Sequence, residues 1–281
     1  MSFEDTYRKK LSRLLYWEKV EQILGNIDGF VFLALAGPDA GDLSTLLGLG
    51  AEMEQVVLVD KDAKAVESSK WKFPKADVRH GELLEVVGKD EKFDAVFLDF
   101  CSNLKPEVFD YLAEVVKSHL AEGGVFGINI LSGREAGEMR ETLDKAGISL
   151  RGQYTDKSES AYPYLTRCAI LHEQLTERLG WSPEPALVIN YASIGKDRQG
   201  VPMLTVLYKK AKGKKSFVPR SYESMLQTIS VDEPAFRKDA LELAKKRDRV
   251  DLLLNIPRGT LAAWKAHDTR GTYKRGRGLF G

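Results

Sequence analysis

Between Val31 and Asp60 the chain reads VFLALAGPDAGDLSTLLGLGAEMEQVVLVD. Val31–Leu35 and Val56–Val59 are apolar runs without polar alternation, the pattern of strands covered on both faces. Gly37, Pro38, Asp39 and Gly41 break the segment after the first run, where glycine lets a backbone come close to a ligand. A short helix and a second strand follow, and Asp60 closes that strand where a nucleotide-like ligand presents its ribose hydroxyls. A strand–turn–helix–strand unit of this kind commits the chain to a sheet with helices on its faces.

The rest of the chain extends the alternation. Strands are expected at 31–36, 55–60, 76–80, 94–99 and 125–131, with helices at 43–49, 63–72, 83–87 and 106–120. That order predicts a parallel sheet, doubly wound. Helices at 134–146 and 164–179 follow, flanking the polar stretch RGQYTDKSESAYP, whose end at Tyr162–Tyr164 is a candidate substrate lip. PALVINYAS and VPMLTVLYKK then read as strands joined by the loop IGKDRQG, a hairpin signal. The fold class is therefore α/β, with a mostly parallel seven-stranded sheet ending in an antiparallel pair. Ahead of it, residues 3–26 carry Leu11, Leu14, Leu15, Trp17, Val20, Ile23 and Leu24 at helical spacing, with Gly25 as the stop. That helix is expected to cap the sheet, its aromatic residues serving as packing.

Charge divides the molecule. The whole chain has 42 Lys/Arg and 41 Asp/Glu. Residues 214–281 hold 15 basic and 8 acidic side chains (+7), leaving 27 and 33 in the remainder (−6). A basic tail on an acidic body suggests two parts with different partners, or else a solvated basic terminus. No apolar run approaches the roughly 20 residues of a membrane span, and the N-terminus is too polar for a secretory signal. Two cysteines, Cys101 and Cys168, imply no disulfide framework, which places the chain in a reducing cytoplasm. His80, His119, His172 and His267 lack metal-ligand spacing, so no metal is expected.

At this point the body resembles the class I S-adenosylmethionine-dependent methyltransferases, over about residues 28–210 and on element order plus four motifs. LALAGPDAGDL stands where the family has its glycine-rich loop, which assigns Ala36, Gly37, Pro38, Asp39 and Gly41 to the cofactor. Asp60, followed by Lys61, stands where the family's acid holds the ribose. ADVRHGELLE places Gly81 and Glu82 beside the adenine, and FDAVFLDFCSN puts Asp99, Phe100 and Cys101 at the mouth of the site, Asp99 as the catalytic candidate. The chain departs from the family at Ala34, where an acid is usual, with Asp39 and Asp42 as the nearest replacements. It lacks the prolines of the amino-group DNA methyltransferase tetrad and the Pro-Cys nucleophile of base-carbon enzymes. Asp60 also reads as a strand-end turn acid and Glu82 as a helix N-terminal acid, while His80 and His172 read as ordinary polar residues.

In the tail, RVDLLLNIPRGTLAAWKAH resembles a helix-turn-helix, with Leu253, Ile256, Leu261 and Trp264 as its small core. The resemblance implies base contacts from Arg258, Thr260, Lys265 and His267, and phosphate contacts from Arg270, Lys274, Arg275 and Arg277. The expected domains are a capping helix at 1–28, a methyltransferase-like body at 29–210, a basic linker at 211–232 and the helix-turn-helix at 233–281. The expected function is methyl transfer from S-adenosyl-L-methionine to nucleic acid, DNA in particular, or to a nucleic-acid-associated target. The alternative is a DNA-binding regulatory or replication protein whose methyltransferase fold has lost catalysis.

Overall fold

A computed structural model describes residues 6–100, 102, 104–131, 163–194, 200–210, 225–229, 233–256, 259–260 and 262–264. The expected helix at 134–146, the Tyr162 end of the polar stretch, the hairpin loop at 195–199 and Cys101 lie outside the described residues.

Helix α1 spans Tyr7–Leu24, with the Thr6 hydroxyl accepting from the Lys9 amide at 3.3 Å and Gly25 closing it in the left-handed region (φ 87°). Then come β1 (Phe32–Leu35), α2 (Gly41–Leu49), β2 (Val56–Asp60), α3 (Ala63–Lys72), β3 (Asp77–His80), α4 (Leu83–Val86), β4 (Phe93–Asp99) and α5 (Pro106–His119). They are followed by β5 (Leu120–Leu131), α6 (Pro163–Leu179), β6 (Pro183–Ile194), β7 (Gly200–Lys210), β8 (Leu226–Ile229), α7 (Glu233–Leu243) and α8 (Val250–Leu253).

The strands form one sheet in the order β3-β2-β1-β4-β5-β7-β6-β8. Among the described strands only β7 runs against its neighbours, pairing antiparallel with both β5 and β6. The seven expected strands are present in the doubly wound arrangement that the residue pattern predicts. An eighth was not foreseen: Leu226–Ile229, inside the segment read as linker, pairs parallel with Val188–Tyr191 of β6. Its four residues, LQTI, lack the length and alternation that mark a strand in isolation.

Successive residues of the central strands feed opposite cores, which is why they read as unbroken apolar runs. Leu33, Val57, Val59, Val96 and Leu98 face α5 and α6. Phe32, Ala34, Val56, Leu58 and Phe97 face α1 and α2. On that second face Tyr16 and Trp17 of α1 are wholly buried, so the packing role expected of them holds. Tyr16 comes so close to β5 that a Cβ on Gly127 would lie 2.3 Å from its ring. The helix runs antiparallel to β4, with the Tyr16 hydroxyl donating to the Val96 carbonyl (3.3 Å) and Lys9 reaching Asp99. Its N-terminal turns therefore stand at the carboxyl edge of the sheet.

A third core joins the C-terminal helices to the body. Phe236, Ala240, Val250, Leu253, Leu254 and Ile256 pack with Leu14 of α1, and Tyr7, Leu49 and Trp264 complete the cluster. Leu253 and Ile256 are buried and Trp264 packs in the same cluster as expected, and α1 and α2 add Leu14, Tyr7 and Leu49 to it; Leu261 lies outside the described residues. Helix α8 rests on α2, where Ser44 and Thr45 donate to the carbonyls of Leu252 (2.9 Å) and Leu253 (3.1 Å).

Candidate functional site

The chain runs outward from β1 through β2 to β3, then returns to β4 on the other side of β1, so the topological switch lies between β1 and β4. Asp60 ends β2 and Asp99 ends β4, one on each side of that point.

The β1–α2 turn forms one wall. Ala36 is buried and its amide bonds the Val59 carbonyl (2.9 Å). Gly37 takes φ 55°, and its amide donates to Asp60 Oδ2 at 3.0 Å. Asp60 Oδ1 accepts from the Asp62 amide at 2.9 Å, so each carboxylate oxygen keeps a second lone pair. Helix α3 holds the turn from outside: Ser69 donates to the Gly37 carbonyl (3.1 Å), Ser68 to that of Pro38 (2.8 Å) and Lys72 to that of Asp39 (3.0 Å). Ala40 is forced into the left-handed region (φ 44°) with no side-chain cap for α2, a strained position for a residue with a Cβ.

Asp39 and Asp42, the two replacements for the acid missing at Ala34, part company. Asp39 is exposed at the turn's tip, whereas Asp42 is buried and turned toward α1. There its Oδ1 accepts from the Trp17 indole at 2.7 Å and lies 3.6 Å from Arg13 Nε. Burial raises its carboxyl above the usual range, Arg13 and the indole N–H only partly opposing this. The Arg13 guanidinium lies against Gly41, where a Cβ would meet it at 2.2 Å.

Asp99 anchors the other wall. Lys9 Nζ lies 2.7 Å from its Oδ2, and Asn129 of β5 donates to Oδ1 at 2.7 Å. The same Asn129 amide reaches the Tyr191 hydroxyl (3.1 Å), its Oδ1 accepts from Thr205 (2.9 Å), and Ser12 bonds Thr205 at 3.2 Å. Burial pushes the Asp99 carboxyl up, but Lys9, the Asn129 amide and Arg13 outweigh it and hold the group below the ordinary carboxylate value. For Lys9 burial works downward, yet Asp99 and Tyr191 carry the ammonium above its ordinary value. Burial, then Asp99, likewise raises the Tyr191 phenol.

The remaining assigned residues follow the carboxyl ends of β2, β3 and β4. Gly81 (φ 144°) donates to the Asp60 carbonyl at 3.0 Å, and Glu82 pairs with Lys61 at 3.5 Å in an exposed contact. Such a pair contributes little. The Phe100 amide bonds the Asn129 carbonyl (2.9 Å), and its ring meets Tyr111 edge-on at 5.9 Å. His80 is exposed against the Lys61 carbonyl, and His172 is buried in α6. Cys168 is buried and its thiol is raised by desolvation, which makes it inert. Among the described residues no group of three His, Cys, Asp or Glu could hold a metal.

Lys9, Ser12, Arg13, Asn129, Tyr191 and Thr205 were not assigned from the sequence. A signal existed for three of them, because Lys9, Ser12, Arg13 and Tyr16 share the helical spacing of one face of α1. The apolar residues of that helix are the stronger periodic signal in its sequence. In the tail, the described Thr260 is half-buried, whereas Arg258, Lys265, His267, Arg270, Lys274, Arg275 and Arg277 lie outside the described residues. The tail's turn reaches the site: Lys72 also donates to Asn255 Oδ1 (2.6 Å), and Lys10 to the Asn255 carbonyl (2.6 Å).

Among the described strands, the eight-strand order with β7 alone reversed is a Rossmann-like α/β sheet that is mostly parallel and carries one antiparallel strand. No protein-family model and no curated protein matches the chain. Among solved structures, the plantazolicin methyltransferase in complex with S-adenosylhomocysteine is 14% identical, with 73% of this chain and 86% of that chain covered and a TM-score of 0.46. The ribosomal protein L11 methylase of Lactobacillus delbrueckii subsp. bulgaricus is 15% identical over 72% and 80% of the two chains (TM-score 0.44). An RNA methyltransferase of Salinibacter ruber in complex with S-adenosyl-L-homocysteine is 18% identical over 43% and 78% (TM-score 0.33).

Proposed function

We propose that the chain is an S-adenosylmethionine-dependent methyltransferase acting on nucleic acid, with DNA as the acceptor. The observation that carries the cofactor reading is Asp60: an acid at the carboxyl end of β2, beside the switch point, tied to the Gly37 amide of the glycine turn. There Asp60 would hold the cofactor's ribose, Gly81 and Glu82 would lie beside its adenine, and Phe100 would stand at the mouth of the site. For the methionine half this chain would offer a different set from the family's, because Ala34 stands where an acid is usual and α1 contributes Lys9 and Arg13. Arg13, already paired with Asp42, has the charge to hold the cofactor's carboxylate.

When bound, the cofactor supplies a methyl group on a sulfonium, ready for in-line displacement. The chain's own task is then positioning, with a base needed only if the acceptor must lose its proton before attack. Asp99 is held below the usual carboxylate range and is a weak base at neutral pH. Its role is to orient and to balance charge, which suits an acceptor that is nucleophilic while still protonated.

Calorimetry with S-adenosylmethionine tests the cofactor claim: the wild type binds, and Asp60→Ala weakens binding at least tenfold. Absence of binding by the wild type, or no change in the variant, would refute it. The second reading, a fold that has lost catalysis, is favoured by Ala34 together with the engagement of both Asp42 and Asp99 by α1. Incorporation of labelled methyl groups into DNA, RNA or protein eliminates it.

A further inference from the structure

Trp71 is 86% exposed, and among the described residues it is the exposed large apolar side chain. It sits on the last turn of α3, in the run Lys70-Trp71-Lys72-Phe73-Pro74-Lys75. Phe73 is buried beneath the helix end, so the core does not draw the indole inward. Between Lys64 and Lys75 four lysines accompany one acid, Glu67, and Lys64, Lys70 and Lys75 are exposed.

The location ties this ring to the candidate site. The residues on either side of it in the helix hold the glycine turn: Ser68 donates to the Pro38 carbonyl and Lys72 to that of Asp39. Lys72 also bonds Asn255, the turn residue of the basic tail. Trp71 therefore stands on the outer shoulder of the β1–α2 turn, where that turn meets the tail.

We infer that Trp71 with Lys70 and Lys75 is a docking platform for single-stranded nucleic acid, on which an unpaired base stacks while the lysines follow the phosphates. This rests on the nucleic-acid reading above and adds to it where the strand lies. Size decides the partner. A protein interface or a membrane-inserting patch needs several hundred Å² of contiguous apolar surface. Among the described residues here, one ring stands among cations, which is enough for one base and its neighbouring phosphates. An enzyme modifying a base needs that base out of the stack, and a platform on the helix that holds the β1–α2 turn would keep an unpaired strand on the side of the molecule where that turn lies.

Anisotropy of fluorescein-labelled oligothymidylate with the full chain tests the inference. Trp71→Ala weakens binding about tenfold or more, Trp71→Phe retains most of it, and Lys70→Glu with Lys75→Glu lowers the salt slope by about 0.7 per lost phosphate contact. Heparin, which carries charge without bases, binds wild type and Trp71→Ala alike. Circular dichroism checks that each variant is folded. Equal oligothymidylate affinity for wild type and Trp71→Ala overturns the platform while leaving the nucleic-acid reading in place. Binding to phosphatidylserine vesicles with no binding to oligothymidylate overturns it in favour of a membrane surface. If the wild type binds no oligonucleotide at all, the platform and the acceptor class both fall. Calorimetric binding of S-adenosylmethionine then shows whether the cofactor reading stands without them.

Discussion

Gly48→Ala separates a docked tail from a detached one by the sign of its effect. Gly48 lies inside α2, where replacing glycine by alanine ordinarily stabilises by about 1 kcal/mol through helix propensity. Here a Cβ would lie 2.6 Å from Leu253 N, 2.8 Å from its Cγ and 2.9 Å from its Cα. Two of those atoms are backbone, so no rotamer change relieves the clash and α8 must move by nearly 1 Å to restore ordinary contact. Overpacking of this kind costs about 1–3 kcal/mol. Set against the propensity gain, the net effect is a destabilisation of about 0–2 kcal/mol. Wholesale release of α8 is not expected, because burial of Val250, Leu253 and Leu254 is worth about 1.5–3 kcal/mol each as an upper bound. The effect should be local. Hydrogen exchange at the amides of Leu252, Leu253 and Leu254, which bond the carbonyls of Arg249 and Val250, should accelerate while β2 and β4 remain protected. Urea unfolding gives the accompanying change in stability. A variant about 1 kcal/mol more stable than wild type, with unchanged exchange in α8, would refute the docking.

Gly127→Ala should cost more, about 2–4 kcal/mol in urea unfolding, because its Cβ would enter the ring of Tyr16, which is wholly buried. Lys9→Met should cost about 3 kcal/mol by stranding Asp99, and combining it with Asp99→Leu should recover part of that loss, measured as a double-mutant cycle. The ion pair also sets a pH window. Asp99, lowered in the fold, contributes stability above its unfolded value near 4 and loses it as pH falls through the folded value. Lys9, raised, contributes below about pH 10 and loses it as pH rises through its folded value. Asp99→Asn should therefore flatten the acid limb of stability against pH, and an unchanged limb would show that other carboxylates carry it.

The alternation of unbroken apolar runs with amphipathic helices was enough to predict a parallel sheet, because strands buried on both faces cannot afford polar residues at either period-two position. The hairpin was legible for a similarly local reason, two strand-like runs flanking a glycine-bounded polar loop. Asp60 could be placed at a strand end and Gly37 in the following turn's neighbourhood, but not their hydrogen bond, which joins residues 23 positions apart.

What the pattern left open lies in contacts between distant segments. Asn129 and Thr205 are separated by 76 positions and Lys10 and Asn255 by 245, and only the folded chain brings each pair together. The same holds for β8, whose four residues become a strand because β6 offers an edge to pair with. Asp42 shows the limit most plainly. As a residue it is a fair substitute for a missing acid, yet α1 brings Trp17 and Arg13 against it and buries it. Apolar periodicity records which face of an element is buried; the partner that each polar group finds depends on how the faces are stacked, and that is a property of the whole fold.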